Sequence, residues 1–598
     1  MPQEPRTFHD QLLFFLQEDL QKKKDEEGWD DRFDGAMRNY SDSISRAIRS
    51  SAPMPLEEII EQHKYLFERG PVHLEQKLLL SFPDHEMSAL QFKPLRIYRG
   101  LPRLYRKNQP QISKLKPNFS HLPSLKRSAA AKSIYSLYSQ ASILPTGSKM
   151  AILCWVIPDG WGDYFASIEA AKLICNAFPS VELHLIATSE KELPRSDFAA
   201  IRWEGSESQY ELLRRCDLIL EIPTVYPKID EIKTRIESMA DESPMPAWES
   251  IGQYGFLESD WFHPSSGAHS MGLHFLERGI LTRSVDEFQT ILGLENEQMI
   301  QWMFDQRLTA ETVEQNRQTH RFFLAYLFSN AGIFVYIHAL LKSLENDNKD
   351  IDLCVPDPGK MLAYFEERFQ AGLDPIEKSF QIGQIVIYIG GNAAVWNLAP
   401  AGKTLRILCP EFLSSSDFQR LIAYSEDFVA CRGDQSLSEV VSHHKCFFYD
   451  PRDHSRFFLK DLIALAQNRI AQYPSSIAVL RLFAKILEHN LLQDTADWVD
   501  EISIDQQKMD LMDIANAMGQ YLQDPKTFAG FKKLDRILLD EHSCNDFILN
   551  LVRRAFCHKS HPDVKRIEEE QLAQFAYGQK SFSSIVDVLQ KEIARRTN

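Results

Sequence analysis

Short apolar runs of strand length alternate with amphipathic stretches of helix length, and this pattern occurs twice in the chain. Met150 to Ile157 (MAILCWVI) is followed by Pro158-Asp159-Gly160 and a helical stretch over Tyr164 to Phe178. Val181 to Ala187 and Leu218 to Ile222 repeat the pattern. It restarts at Asp352 to Val355, Gln384 to Ile389, Thr404 to Leu408, Phe428 to Cys431 and Cys446 to Tyr449, with a helix over Asp417 to Ser425. Such alternation demands parallel sheets covered by helices on both faces, because parallel neighbours need crossover connections. Two doubly wound units in series, joined through a helical stretch around Ala310 to Asn346, predict an α/β protein with a cleft between two lobes. Ligands in such sheets sit beyond the carboxyl ends of the strands.

The flanks read differently. Leu56, Ile59, Ile60, His63, Leu66 and Phe67 have the spacing of an amphipathic helix. Beyond about Arg456 the chain reads as helical to its end. The expected organisation is therefore a helical region over 1–86, a basic Pro-containing linker over 87–148, lobes over 149–345 and 346–470, and a helical domain over 471–598. At 598 residues, several domains are expected.

Charge is unevenly placed. The chain carries a net charge of −16, which argues against a general nucleic-acid binder. Yet no acidic residue occurs between Met87 and Pro158, while basic residues accumulate from Lys93 through Arg106 and Lys107 to Arg127 and Lys132. That stretch reads either as an extended connector draped over acidic parts of the same chain or as a surface for an acidic partner, RNA or an anionic membrane. The longest apolar candidate, Phe322 to Leu341, is interrupted by Ser329, Asn330 and His338 and does not read as a membrane span. The N-terminal MPQEPRTFHDQLLFFLQEDLQ lacks the series expected of a cleavable signal peptide. Nine cysteines without CxxC pairs suggest reduced thiols and no zinc site. A cytoplasmic protein, or one exported without a signal peptide, is expected.

Three motifs carry the candidate chemistry. Asp159-Gly160-Trp161-Gly162-Asp163 lies between a predicted strand and a helix, where glycines admit a ligand to backbone amides and a helix N-terminus favours negative charge. Its two carboxylates suit general-base work, although an Asp beside Gly at a helix start is also common capping chemistry. Arg432-Gly433-Asp434-Gln435-Ser436 follows the strand FVAC and opens another helix. There Gly433 permits close approach, Ser436 can face a pyrophosphate, and an acid can accept ribose hydroxyls. A plain capped turn, with Ser436 and Glu439 as a capping box, accounts for the same letters. The third, Tyr254-Gly-Phe-Leu-Glu258-Ser-Asp260-Trp261, reads equally as a packed loop or as a lobe-interface acceptor loop.

Together and in this order, the three motifs resemble those of the protein-arginine rhamnosyltransferases that modify elongation factor P. Asp159 to Asp163 is similar to that family's D-N-Y-G-D, Phe256 to Trp261 to part of its Y-L-S-A-E-D-W, and Arg432 to Ser436 to its R-G-E-D-S. The resemblance covers about half the chain and implies a GT-B-like fold of two Rossmann-type lobes facing a cleft. It implies an inverting, metal-independent glycosyltransferase using a nucleotide diphosphate sugar, dTDP- or UDP-linked, with no other cofactor. It implies Asp159 and Asp163 as base and acceptor-orienting group, Asp434 on the ribose and Ser436 on the diphosphate. Arg432, Gly433 and Gln435 would line the donor side, with Gly160, Gly162, Tyr254, Glu258, Asp260 and Trp261 lining the cleft. Asp434 in place of Glu and Gln435 in place of Asp depart from the family, as does Gly160-Trp161 in place of N-Y. Three readings therefore stay open. One is transfer to a protein side chain, arginine or Ser/Thr; another is an inactive nucleotide-binding or interaction module. The third is a transferase of lipid-linked or cell-wall sugars with the basic linker on a membrane.

Overall fold

A computed structural model describes residues 134–140, 147–156, 161–189, 192–194, 198–223, 229–239, 245–252, 254, 268–273, 277–305, 307–327, 329–356, 380–451, 455–492, 509–576 and 579–597. The amphipathic stretch at Leu56 to Phe67 and all of the basic residues from Lys93 to Lys132 lie outside them.

The first lobe is a six-stranded parallel sheet. Its strands are β1 (Lys149–Trp155), β2 (Glu182–Thr188), β3 (Ala200–Arg202), β4 (Leu218–Glu221), β5 (Ala247–Gly252) and β6 (Ala268–Ser270), in the order β3-β2-β1-β4-β5-β6. Met150 to Cys154 are all buried, as expected for a central parallel strand covered on both faces. Helices α1 (Gly162–Ala177), α2 (Glu207–Arg214) and α3 (Ile229–Ser238) provide crossovers. Strand order reverses between β1 and β4, so the loop that opens α1 faces the point where such sheets take ligands. β3, β5 and β6 are not among the sequence-based strands, being short, polar or half-exposed.

Two short helices, α4 (Glu297–Phe304) and α5 (Ala310–Thr319), lead to the second sheet. This sheet contains β7 (His320–Leu324), β8 (Asp350–Cys354), β9 (Ile382–Ile389), β10 (Asn392–Asn397) and β11 (Lys403–Cys409), in the order β10-β9-β11-β8-β7. All pair in parallel except the β9–β10 hairpin. A bridge from Ala325 to Ala430 extends the sheet to the parallel pair β12 (Phe428–Cys431) and β13 (Cys446–Tyr449). The second lobe thus has its own reversal of strand order between β7 and β12.

The helical join expected over Ala310 to Asn346 is corrected here. β7 lies inside it, followed by α6 (Asn330–Ser343), and both belong to the second sheet's lobe. Every residue of α6 from Ala331 to Leu341 is buried, so the stretch has no polar face to mark its period. A run of this kind hides the strand before it, because short apolar runs do not separate strand from helix.

Further along lie α7 (Ser415–Tyr424), α8 (Asp434–Ser442), α9 (Arg456–Arg469), α10 (Pro474–Leu492), α11 (Leu511–Leu522), α12 (Pro525–Glu541), α13 (Asn545–Ser560), α14 (Pro562–Ala576) and α15 (Phe582–Thr597). The C-terminal helices do not stand apart. α11 packs on α6 and α12 on β13, while α13 reaches the first lobe against α1 and the turn Tyr135–Gln140. Ile280 and the α12–α13 junction exchange backbone hydrogen bonds, Ile280 N–H to His542 O at 2.7 Å and Cys544 N–H to Ile280 O at 2.8 Å. One apolar cluster includes Ile152 and Leu220 of the first sheet, Ile351 and Phe447 of the second lobe, and Phe483, Phe531 and Phe556 of these helices.

The α6–α11 contact is close enough to test. A Cβ placed on Gly519 would lie 2.6 Å from Lys342 Cβ and 3.0 Å from the Ala339 carbonyl oxygen. Gly519→Leu is therefore expected to lower stability by about 1–3 kcal/mol by wedging the helices apart. A urea unfolding midpoint equal to that of the wild type would contradict this close approach.

Candidate functional site

The described part of the first motif, Trp161 to Asp163, lies at the start of a helix, as its sequence suggested. Gly162 opens α1 and Asp163 is the acidic residue of its first turn, where the aligned peptide dipoles favour a carboxylate. Asp163 is buried, and its carbonyl oxygen accepts a hydrogen bond from the Cys154 thiol at the end of β1 (3.4 Å). Asp159 and Gly160 lie outside the described residues.

The second motif opens α8 in the other lobe, directly after β12. Arg432 lays its guanidinium over the ring of Tyr326, 4.2 Å from the centroid, a cation–π arrangement at the reversal point between β7 and β12. Gly433 is extended, with φ −164°, and a Cβ there would meet nothing within 4 Å among the described residues. Among the described residues, neither backbone conformation nor packing explains that glycine. The Ser436 hydroxyl accepts the N–H groups of Arg432 (3.1 Å) and Gly433 (3.2 Å) and donates to the Gly433 carbonyl (3.1 Å), which shapes the turn. The expected Ser436–Glu439 capping box does not form. Gly433 is the N-cap, Ser436 sits at the third helical position, and Glu439 points one turn further along. There it meets Arg283 at 3.2 Å and the Gln435 side-chain amide at 3.2 Å.

Residues 273 positions apart in the chain (435 − 162) face each other at this point. A Cβ on Gly162 would lie 3.8 Å from Gln435 Cβ, in ordinary van der Waals contact. The openings of α1 and α8 therefore stand side by side, one from each lobe. Tyr254, after β5, crosses between the lobes as well. Its backbone N–H donates to Asp434 Oδ2 at 3.0 Å, its hydroxyl pairs with Ser438, and its ring stacks on Phe458 of α9 with centroids 4.8 Å apart. The Ser455 hydroxyl approaches the other Asp434 oxygen at 3.5 Å. Of the middle motif only Tyr254 can be placed; Glu258, Asp260 and Trp261 lie outside the described residues.

Several neighbours went unread in the sequence. Asp450, fully buried at the end of β13, accepts the Ser329 N–H (2.7 Å) and hydroxyl (2.8 Å), so the amide end of α6 is already held by a protein carboxylate. Gly332 makes room for that carboxyl group, since a Cβ would come within 2.6 Å of its carbon. Arg283 and Glu169 join Glu439 in a buried group. Burial, with Glu169 adding, pushes the Glu439 carboxyl up to about 7 against the opposing pull of Arg283 and Gln435. Asp450, Ser329, Arg283 and Glu169 lie in no motif, and Glu439 was legible only as a helix cap; they come together only through the packing of separate elements.

No protein-family model matches the chain, and no curated protein matches it in sequence. Among solved structures it is similar to an alpha-glucosyltransferase in complex with UDP and a 13-mer DNA containing an HMU base. That likeness has 11% identity and a TM-score of 0.34, covering 69% of this chain and 99% of the other. It is similar to the structure described as the basis for EarP-mediated arginine glycosylation of translation elongation factor EF-P, at 15% identity and a TM-score of 0.33, covering 68% of this chain and 99% of that one. It is also similar to the alpha,alpha-trehalose 6-phosphate synthase of Burkholderia multivorans, at 10% identity and a TM-score of 0.26, covering 80% and 83%.

Proposed function

We propose that this chain transfers a sugar from a nucleotide diphosphate sugar, UDP- or dTDP-linked, to a protein side chain, arginine or Ser/Thr. The observation that carries the reading is the meeting of the α1 and α8 openings, from separate lobes, through Gly162 and Gln435. Each helix follows a strand beside a reversal of strand order, α1 after β1 and α8 after β12, where doubly wound sheets take ligands. The ordered motifs around Asp163, Tyr254 and Asp434 support it independently.

In this reading Asp159 and Asp163 serve the acceptor, one removing its proton while the other orients it. The acceptor's lone pair attacks the anomeric carbon from the face opposite the leaving group. The bond from that carbon to the diphosphate oxygen breaks, its electrons leave with the nucleotide diphosphate, and the configuration inverts. Arg432 and the amide end of α8 offset the developing negative charge, so the step needs no metal. Ser436 acts by fixing the turn that presents those amides, and Asp434 faces the ribose.

One observation favours the second reading, an inactive nucleotide-binding or interaction module. The Asp434 carboxylate already accepts the Tyr254 N–H and approaches the Ser455 hydroxyl, which leaves it less acceptor capacity for a ribose. A third reading, action on lipid-linked sugars, rests on the basic stretch outside the described residues. Among the described residues no helix is long and apolar enough to cross a membrane.

Thermal melts of the full chain with UDP, dTDP and their sugar conjugates test the donor site. At a hundredfold excess over the dissociation constant, a ligand that binds only the native state adds about 2.7 kcal/mol. Asp163→Ala should keep nucleotide binding and lose transfer, whereas Asp434→Ala should weaken binding tenfold or more. An unshifted melt in every nucleotide removes the donor assignment, and equal loss of binding in both variants contradicts the division of roles.

A further inference from the structure

The contact between the α1 and α8 openings is held from behind by Arg283 and Glu169, which lie outside all three motifs, together with Glu439 of α8. Arg283 lies in the irregular segment after Ile280, with its side chain only 4% exposed. One terminal nitrogen is 3.0 Å from Glu169 Oε1 on α1, and another is 3.2 Å from Glu439 Oε1 on α8. Its backbone N–H donates to the Ser442 hydroxyl at 3.3 Å, and its guanidinium lies 5.0 Å from the Phe288 ring centroid. The Gln435 amide donates to the same Glu439 oxygen at 3.2 Å. A continuous polar chain thus runs from Glu169 through Arg283 and Glu439 to Gln435, the residue that faces Gly162.

Helix periodicity makes this arrangement directional. Glu169 is seven residues beyond Gly162, close to two full turns, and so lies on the same face of α1. Glu439 is four residues beyond Gln435 and shares its face of α8. The pin therefore sits about 6–10 Å behind the contact, on the faces that carry it. A planar guanidinium at the boundary between the lobes can serve both buried carboxyl groups at once.

We propose that Arg283 is a positioning residue: by bridging Glu169 and Glu439 it holds α1 and α8 in the register that sets Asp163 and Asp434 on either side of the cleft. Its effect on the reaction rests on the donor-site reading above, but the register itself does not. The test uses the full-length chain as wild type, Arg283→Met and Arg283→Lys, followed by amide hydrogen exchange and by calorimetric titration with UDP and dTDP. Arg283→Met is expected to speed exchange at least tenfold in α1 and α8 beyond their first turns, leaving α14 and α15 unchanged. It is also expected to weaken nucleotide binding tenfold or more. Arg283→Lys, which keeps the charge but loses the fork, should move both readouts less and in the same direction.

Exchange in α1 and α8 that is unchanged in Arg283→Met, or raised equally throughout the chain, overturns the proposal. So does unchanged nucleotide affinity in a variant whose helices have loosened. If Arg283→Met does not fold, Arg283→Lys and Glu439→Gln are judged by the same local exchange criterion. Failure of the wild type to bind either nucleotide removes the donor reading instead, while the exchange result still decides whether Arg283 sets the register.

Discussion

Arg554→Met is expected to lower the stability of the chain by about 3–5 kcal/mol, the usual cost of leaving buried charges without their partner. Arg554, on α13, is shared between the first lobe and the C-terminal helices. Its Nε and Nη2 donate to Glu568 Oε1 at 2.9 and 2.7 Å, and its Nη1 donates to Glu249 Oε1 on β5 at 2.8 Å. Glu568 and Glu249 are only 1% and 7% exposed. Burial alone would raise the Glu568 carboxyl, but Arg554 and His558 outweigh it and hold that group well below the usual carboxylate range. The Tyr138 hydroxyl donates to the other Glu568 oxygen at 2.6 Å, and the Tyr135 ring lies 5.0 Å from the guanidinium. The turn Tyr135–Gln140, β5 and α13–α14 are thereby tied into one network. Urea unfolding monitored by near-ultraviolet circular dichroism checks the prediction. A loss below about 1 kcal/mol would mean that apolar packing alone attaches these helices.

The second large effect is a gain. Asp535, on α12, is fully buried, and neither carboxyl oxygen finds a hydrogen-bond partner among the described residues. Burial raises its pKa well above the ordinary 3.8, with nearby Asp427 adding and Lys532 opposing. The folded chain therefore keeps a proton that the unfolded chain releases above 3.8. Stability from this group is complete below that pH, falls by up to about 1.4 kcal/mol per pH unit above it, and levels off once the folded-state pKa is passed. Asp535→Asn removes the proton from the comparison. Its stability should match that of the wild type more closely near pH 4 and exceed it increasingly toward pH 8. Unfolding midpoints of both proteins across that range provide the check, and parallel curves would show that Asp535 is not the titrating group.

The legible parts of the fold were those set by local chemistry. β1, β2, β4, β8, β9, β11, β12 and β13 each coincide with a largely apolar run, because strands covered by helices on both faces favour apolar residues. The starts of α1 and α8 were visible because glycine and acidic residues mark the change from strand to helix. β3, β5 and β6 were not, since three to six residues of mixed polarity carry too little pattern. β7 was hidden for the opposite reason, as it adjoins α6, a helix without a solvent face.

The same division runs through the candidate site. The sequence by itself determined two doubly wound units and the motifs around Asp163 and Asp434, since periodicity and turn chemistry act over a few residues. Only the tertiary structure decided that Gly162 meets Gln435, that Tyr254 docks on Asp434, and that Arg283 bridges Glu169 and Glu439. It also decided that the C-terminal helices return to the first lobe through Arg554 and the Ile280 junction. A buried cation must find its counter-charges wherever packing brings them, here 114 and 156 positions away in opposite directions for Arg283 (283 − 169 and 439 − 283). Nothing in the local residue pattern records that distance.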